Sequence, residues 1–269
     1  MRILYVSDLD GTLLRSDGKT SAYTNRVINE LCKKGMLFSY ATARSYLTAA
    51  KVTRGLNAKF PIITYNGAVI LQNDTYEVIA QNTFSHEEKK DILDELLRHG
   101  IYPIVYTYIE GKEKFLYHIN KCNYATTEFL LTRKGDIRDT PVKSDNALGF
   151  GDVFYFSCID KYENLEPLYK HFKEKYHCIF QKEYYSGEQW LEIIPKNISK
   201  ASAILQLKEY WKIERIVAFG DGMNDIEMFE IADESYAVEN AVDELKAIAT
   251  GIIESNDSDG VAKWLYNRF

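Results

Sequence analysis

Ile3-Leu4-Tyr5-Val6-Ser7-Asp8-Leu9-Asp10-Gly11-Thr12 begins as an apolar run and breaks off at a polar cluster that carries two carboxylates one residue apart. A short apolar run without alternation is the pattern of a strand buried on both faces, as in a parallel sheet covered by helices. Outward from it, Val27, Ile28 and Leu31 recur at helical spacing and stop before Gly35, a residue suited to ending a helix. A second strand over 36–41 ends at Thr42, a helix starts near Ser45, and a third strand covers 62–65. This order predicts an α/β fold, a Rossmann-like parallel sheet with right-handed crossovers and helices on both faces.

The same rhythm returns near the C-terminus. A helix over 199–211 precedes a strand over 216–219, a short helix, a strand over 236–238, another helix, Ile252-Ile253 and a last helix over 259–266. Between the two halves the character changes to helices and paired strands, with hairpin-like segments over 102–108 and 114–118. The expected organisation is a discontinuous core, 1–83 and 191–269, interrupted by an inserted α/β domain over 84–190, both of ordinary domain size.

Composition narrows the function classes. Of 269 residues, 46% are apolar and 27% charged, which is globular usage. A formal charge of -6 argues against non-specific nucleic-acid binding, which needs a basic stripe, although a local cation lets an acidic site accept a small anion. Cys32, Cys122, Cys158 and Cys178 are scattered without a C-x-x-C pair and read as reduced thiols. The start has no signal-peptide order of regions and no run approaches 18 apolar residues, so a cytoplasmic protein with no membrane partner is expected. The five histidines lack metal-ligand spacing. The insert is rich in tyrosine, including Tyr102, Tyr106, Tyr108, Tyr155, Tyr184 and Tyr185; strand alternation assigns most to packing and leaves a few to line a pocket.

Three polar clusters directly follow apolar strands: Asp8 to Thr12, Thr42-Ala43-Arg44, and Gly220-Asp221-Gly222-Met223-Asn224-Asp225. In an open parallel sheet ligands gather beyond the carboxyl ends of the strands, so the three are expected to converge there, with Lys200 bringing an ammonium to the same edge. Asp8, Asp10, Asp221 and Asp225 would repel one another when ionised. A Mg²⁺ ion, a hard cation that takes a few carboxylates together with water and phosphate oxygens, relieves that repulsion. Two carboxylates spaced as Asp8 and Asp10 are can divide the work of nucleophile and proton shuttle, and phosphoryl transfer is mostly positioning and charge stabilisation.

The first and third clusters together resemble the haloacid dehalogenase superfamily, in particular its Cof-type phosphatases. The similarity extends to Tyr65-Asn66-Gly67-Ala68, Ser199-Lys200, Asn240-Ala241, and Ser255-Asn256-Asp257 with Gly260-Val261. The resemblance implies an aspartyl-phosphate intermediate on Asp8, Asp10 as general acid and base, and Thr42 and Lys200 as phosphate ligands. It also implies Mg²⁺ on Asp8, the Asp10 carbonyl and Asp221, with Asp225 supporting it through water, and a cap inserted after the second motif. Arg44, Asn66 and Asn224 complete the candidate substrate-binding set. Arg44 stays open between substrate contact and pairing with a core carboxylate, and Asn66 between contact and a turn before Gly67. Ala43, Asn197, Ala201 and Glu239 depart from the family pattern without removing a catalytic group. The expected activity is Mg²⁺-dependent hydrolysis of small phosphomonoesters, sugar phosphates first. Its rivals are a phosphomutase, which returns the phosphate to its substrate, and a non-catalytic regulator that binds a phosphometabolite.

Overall fold

A computed structural model describes residues 1–57, 60–182 and 187–269. From the N-terminus run β1 (Ile3–Ser7), α1 (Ala22–Lys33), β2 (Leu37–Tyr40), α2 (Tyr46–Val52), β3 (Ile62–Thr64), β4 (Val69–Leu71) and β5 (Val78–Gln81). Next come α3 (His86–Arg98), β6 (Ile104–Ile109), β7 (Lys112–His118), α4 (Tyr124–Leu131), β8 (Asp139–Val142), β9 (Asp152–Asp160), α5 (Tyr162–Phe172), β10 (His177–Lys182) and β11 (Gln189–Ile194). The chain closes with α6 (Lys200–Tyr210), β12 (Arg215–Gly220), α7 (Ile226–Ile231), β13 (Glu234–Val238), α8 (Asp243–Ile248), β14 (Gly251–Ile253) and α9 (Gly260–Arg268). Two compact units result: Met1–Gln81 with Ile198–Phe269, and Asn82–Asn197.

The first unit is built on a parallel sheet in the order β14-β13-β12-β1-β2. Leu4 and Val6 of β1 are wholly buried, as the unbroken apolar run requires; burying a side chain of that size contributes roughly 1.5–3 kcal/mol. α1 is capped by Ser21, whose hydroxyl accepts from the Thr24 amide, and turns Val27, Ile28 and Leu31 inward. Gly35, at φ +104°, then reverses the chain into β2 in a conformation that suits a residue without Cβ. From β1 the chain moves through β2 in one direction along the sheet, whereas β12, β13 and β14 extend the other side. Strand order therefore switches between β1 and β12, and the crevice at such a point is where open α/β sheets bind ligands. A parallel bridge, Ala41 to Ile63, joins the edge to β3, which continues into an antiparallel β3-β4-β5 sheet. The β4–β5 hairpin was not anticipated, because strands of three and four residues are too short to carry a period.

The second unit is a six-stranded sheet, β10-β11-β9-β6-β7-β8, antiparallel except where β7 meets β8. Ile92, Leu93 and Leu96 of α3 and Leu165, Leu168 and Phe172 of α5 share a core with Val105, Leu116, Phe156 and Leu191 of the sheet. α3 starts in a capping box in which Ser85 and Glu88 bond each other's backbone amides. Tyr106, Tyr108 and Tyr155 are buried in aromatic contacts, Tyr106 edge-on to Tyr155 at 5.8 Å. Tyr102 accepts from the Lys121 ammonium, and Tyr184 and Tyr185 lie outside the described residues. The unit boundaries differ from the sequence expectation by a few residues. A limit at 190 cuts through β11, which pairs on both sides, with β9 and β10, and so stays with the second unit as far as Asn197. Among the described residues no helix is long and apolar enough to cross a membrane.

Candidate active site

Parallel pairing brings the polar clusters of the first unit together. Ser7 stands opposite Phe219, and the Asp8 amide donates to the Phe219 carbonyl at 2.9 Å, so Asp8 leaves β1 beside the end of β12, where Asp221 follows Gly220. On the other side the Ala41 amide donates to the Ser7 carbonyl, placing Thr42 at the same edge. The loop after Asp8 turns at Gly11, φ +82°, where a Cβ would lie 2.3 Å from the Asp221 carboxylate. Lys200 is the first residue of α6, behind the cap residue Ser199. The start of this helix is approached by the Tyr65-Asn66-Gly67 turn, all three residues at positive φ; a Cβ on Gly67 would lie 2.1 Å from the Ser199 carbonyl. Two non-glycine residues in that region, held by packing, fit a site that needs its backbone in one shape.

At the centre, the Lys200 ammonium donates to Asp8 Oδ1 at 2.5 Å and Asp225 Oδ1 at 2.7 Å. Asp225 Oδ2 accepts from the Asp221 and Gly222 amides at 3.0 and 3.1 Å, so Asp225 shapes its own loop while it seats the lysine. Thr12 donates to Asp221 Oδ1 at 2.6 Å. The Asp10 carboxylate is gripped by Arg44 through two bonds, Nε to Oδ2 at 2.7 Å and a terminal nitrogen to Oδ1 at 2.6 Å. Paired planar contacts of this kind fix orientation as well as charge. Thr42 is buried after β2, and its hydroxyl accepts from the Arg44 amide; the cap of α2 is Ser45. The Asn66 amide donates to the Thr42 carbonyl, and the Asn66 side-chain oxygen lies 3.5 Å from Asn224 Nδ2.

The expected residues therefore gather as one central group, Asp8, Lys200, Asp221 and Asp225, with the Asp10–Arg44 pair and a linked set of Thr42, Asn66 and Asn224. Lys200 is 2% exposed, which removes the reading of it as a surface lysine. Arg44 is engaged with a core carboxylate, one of its two open readings. Asn66 is a turn residue and also faces Asn224. Thr12 joins the site as well: its place two residues after Asp10 is visible in the sequence, but its partner lies in the loop after β12, 209 positions away.

The electrostatics are those of crowded carboxylates. Oxygens of Asp8, Asp221 and Asp225 all lie within 4.8 Å of one another. Burial holds the Asp8 carboxyl well above its ordinary range; Lys200 draws it down, and Asp225 and Asp221 push it up again. Asp221 is pushed up to about 7, first by burial and then by the Asp225 charge, with the Thr12 bond working against both. Burial opposes the Lys200 charge, but Asp225 and Asp8 outweigh it and keep the ammonium protonated. This excess of negative charge suits a divalent cation with oxygen ligands. Asp225 spends both oxygens on protein donors, whereas Asp8 and Asp221 each keep one outside the bonds described, so these two fit as direct ligands.

Known proteins point the same way. The sequence profile of haloacid dehalogenase-like hydrolases matches residues 5–265. A Bacillus subtilis (strain 168) relative, 5-amino-6-(5-phospho-D-ribitylamino)uracil phosphatase YwtE, is 30% identical over 96% of this chain and 95% of its own. YitU, of the same organism and given the same activity by name, is 27% identical over 99% and 97%. The crystal structure of TM0651 from Thermotoga maritima superposes with a TM-score of 0.80 over 100% of this chain and 98% of that one, at 26% identity.

Proposed function

The chain belongs to the haloacid dehalogenase-like hydrolase family and is a phosphatase of that family, and from this premise we propose that it hydrolyses small phosphomonoesters through an aspartyl-phosphate on Asp8, with Mg²⁺ as cofactor. The supporting observation is the buried Asp8 carboxylate, 2.5 Å from Lys200 at the end of a central strand. An Asp8 oxygen attacks phosphorus as the bond to the leaving oxygen breaks, and Asp10 gives that oxygen a proton. Asp10 then takes a proton from the water that attacks the phosphoryl group, inorganic phosphate departs, and the Asp8 carboxylate is restored. Arg44 positions Asp10, which must turn one oxygen away from the guanidinium to reach its proton partner. Lys200 and the Thr42 hydroxyl face the phosphoryl oxygens, with Asn66 and Asn224 beside them. Asp8, the Asp10 carbonyl and Asp221 would hold Mg²⁺ with Asp225 behind them, and when bound it supplies charge neutralisation for the phosphoryl oxygens.

The two Bacillus relatives are named for a phosphate on a ribityl chain, and we extend that class to this protein: a phosphate ester on a terminal sugar or polyol carbon. The second unit, 82–197, acts in this reading as the cap that selects the rest of the molecule. The test is a panel of such esters, 5-amino-6-(5-phospho-D-ribitylamino)uracil included, assayed with Mg²⁺ and ranked by kcat/KM. Release of inorganic phosphate from a subset is expected; pure protein that turns over none of them overturns the reading, and phosphate retained on the product marks a mutase.

Metal linkage gives a separate check. The pKa of Asp221 rises from 3.8 to about 7 on folding, so its contribution to stability is fully present below pH 4 and is lost as pH rises through 7. A cation that replaces the proton restores it. The melting temperature gained on adding Mg²⁺ is expected to be several degrees larger at pH 8 than at pH 5.5 by scanning calorimetry. An equal gain at the two pH values contradicts the assignment of Asp221 to the metal.

A further inference from the structure

Two asparagines lie at the edge of this site without a part in the chemistry above. Asn240, just past β13, donates from Nδ2 to the Gly11 carbonyl at 2.7 Å, and its Oδ1 accepts from the Asn256 amide at 3.0 Å. Asn256 is buried, and its own Nδ2 donates to the Leu14 carbonyl at 2.9 Å. A continuous chain of hydrogen bonds thus runs from Gly11 through both side chains to Leu14. The loop it spans is closed at its base by the Leu14 amide donating to the Leu9 carbonyl at 2.8 Å.

We propose that Asn240 and Asn256 form a strap that holds the 9–14 loop in its working shape, and that they are positioning residues for phosphoryl transfer. The proposal rests on the phosphatase reading above. The loop is not regular: Asp10 (φ -76°, ψ 117°) and Gly11 (φ +82°, ψ -8°) depart from helical values, so no repeating ladder supplies donors to its carbonyls. Backbone carbonyls shut off from water need partners, and the strap supplies two. The peptide anchored by Asn240 joins Gly11 to Thr12, directly after Asp10. If it rotates, the Asp10 carboxyl leaves Arg44, and the Thr12 hydroxyl leaves Asp221. The same turn reaches the other half of the site, because the Val242 amide donates to the Asp221 carbonyl at 2.9 Å. Asparagine suits the position chemically: one short head group donates to one loop and accepts from another. Aspartate keeps the acceptor and loses the donor.

That difference supplies the experiment. Asn240→Asp, Asn256→Asp and the double variant are compared with wild type in the full chain. Hydrogen exchange of the 9–14 amides is followed by mass spectrometry in Mg²⁺-free protein, and turnover of p-nitrophenyl phosphate is measured with Mg²⁺. Exchange over 9–14 is expected to rise at least about tenfold in each variant while the peptides of β6 and β9 stay unchanged. Turnover kcat is expected to fall roughly 10- to 100-fold with KM within about threefold, the pattern of misplaced groups in place of lost binding. The double variant should lose little more than the worse single one, since either break opens the same strap. Unchanged exchange over 9–14 overturns the strap; raised exchange with kcat within twofold of wild type overturns the positioning role. Where Asn240→Asp does not fold, Asn240→Ser is read in its place. A wild type that turns over no ester indicts the phosphatase reading alone, because the exchange arm stands apart from activity.

Discussion

Replacing Asp8 with asparagine is expected to lower kcat by on the order of 10⁴-fold or more, the scale seen when a covalent nucleophile is removed. The amide matches the carboxylate in shape, yet it offers phosphorus no anionic oxygen. Acid-quenched wild type given a ³²P-labelled substrate should carry label on protein, and the variant none. Stability should move differently. Asp8 is one of three carboxylates packed within 4.8 Å of one another, and burial holds its pKa well above the ordinary range, so an ionised Asp8 is a strained component of the metal-free site. The uncharged amide relieves that repulsion while Lys200 keeps Asp225. In Mg²⁺-free buffer at pH 8 the variant should therefore melt no lower than wild type. Lost activity with unchanged or raised melting temperature separates a chemical role from a structural one. Asp8→Ala guards against slow deamidation restoring the aspartate, and an Asp8→Ala protein keeping a tenth of wild-type kcat removes Asp8 from the mechanism.

The parts of this site that could be read in advance are those whose cause is local. β1 and β12 are buried on both faces, so each is an unbroken apolar run that must end where polar side chains can leave the sheet; Asp8 and Asp221 were found by that ending. Asp225 was grouped with them because it lies in the same short loop. Partners remote in sequence were not legible. Lys200 is expected at this edge, but that its ammonium bridges Asp8 and Asp225 depends on β1 and β12 being neighbours. Arg44 remained open between two uses because its distance from Asp10 depends on β2 lying next to β1. Thr12, Asn240 and Asn256 act on residues more than two hundred positions away or on turns formed only when the chain closes. The β11 segment misled for a related reason: Leu191, Ile193 and Ile194 read equally well as a core strand, and only the pairing with β9 and β10 assigns it to the second unit.

Lys200→Met is expected to have the largest effect on folding. Methionine has nearly the volume and reach of lysine, so packing around α6 is preserved and the change is close to a pure loss of charge. What remains is Asp8 and Asp225, both buried, with the donor they shared now gone. Breaking a buried ion pair by deleting one partner typically costs roughly 3–5 kcal/mol. For a unit of this size that is a fall in melting temperature on the order of 10 °C. The cost has a ceiling, because a stranded carboxylate can take a proton instead. Losing the ammonium raises the folded pKa of Asp8 further above its unfolded value, so the variant regains stability as pH falls toward 4 and suffers most at pH 8. Mg²⁺ should recover part of the loss by supplying charge to the same oxygens, yet it cannot donate the Lys200 hydrogen bonds, and kcat should stay down by about 10²- to 10³-fold. Urea and thermal unfolding at pH 8 and pH 5, with and without Mg²⁺, resolve the cost and its dependence on pH and on metal, and a turnover assay reads kcat. If Lys200→Met melts within about 2 °C of wild type at pH 8 without metal, the ammonium does not hold these carboxylates together, and the charge balance from which both the metal and the nucleophile were inferred fails with it.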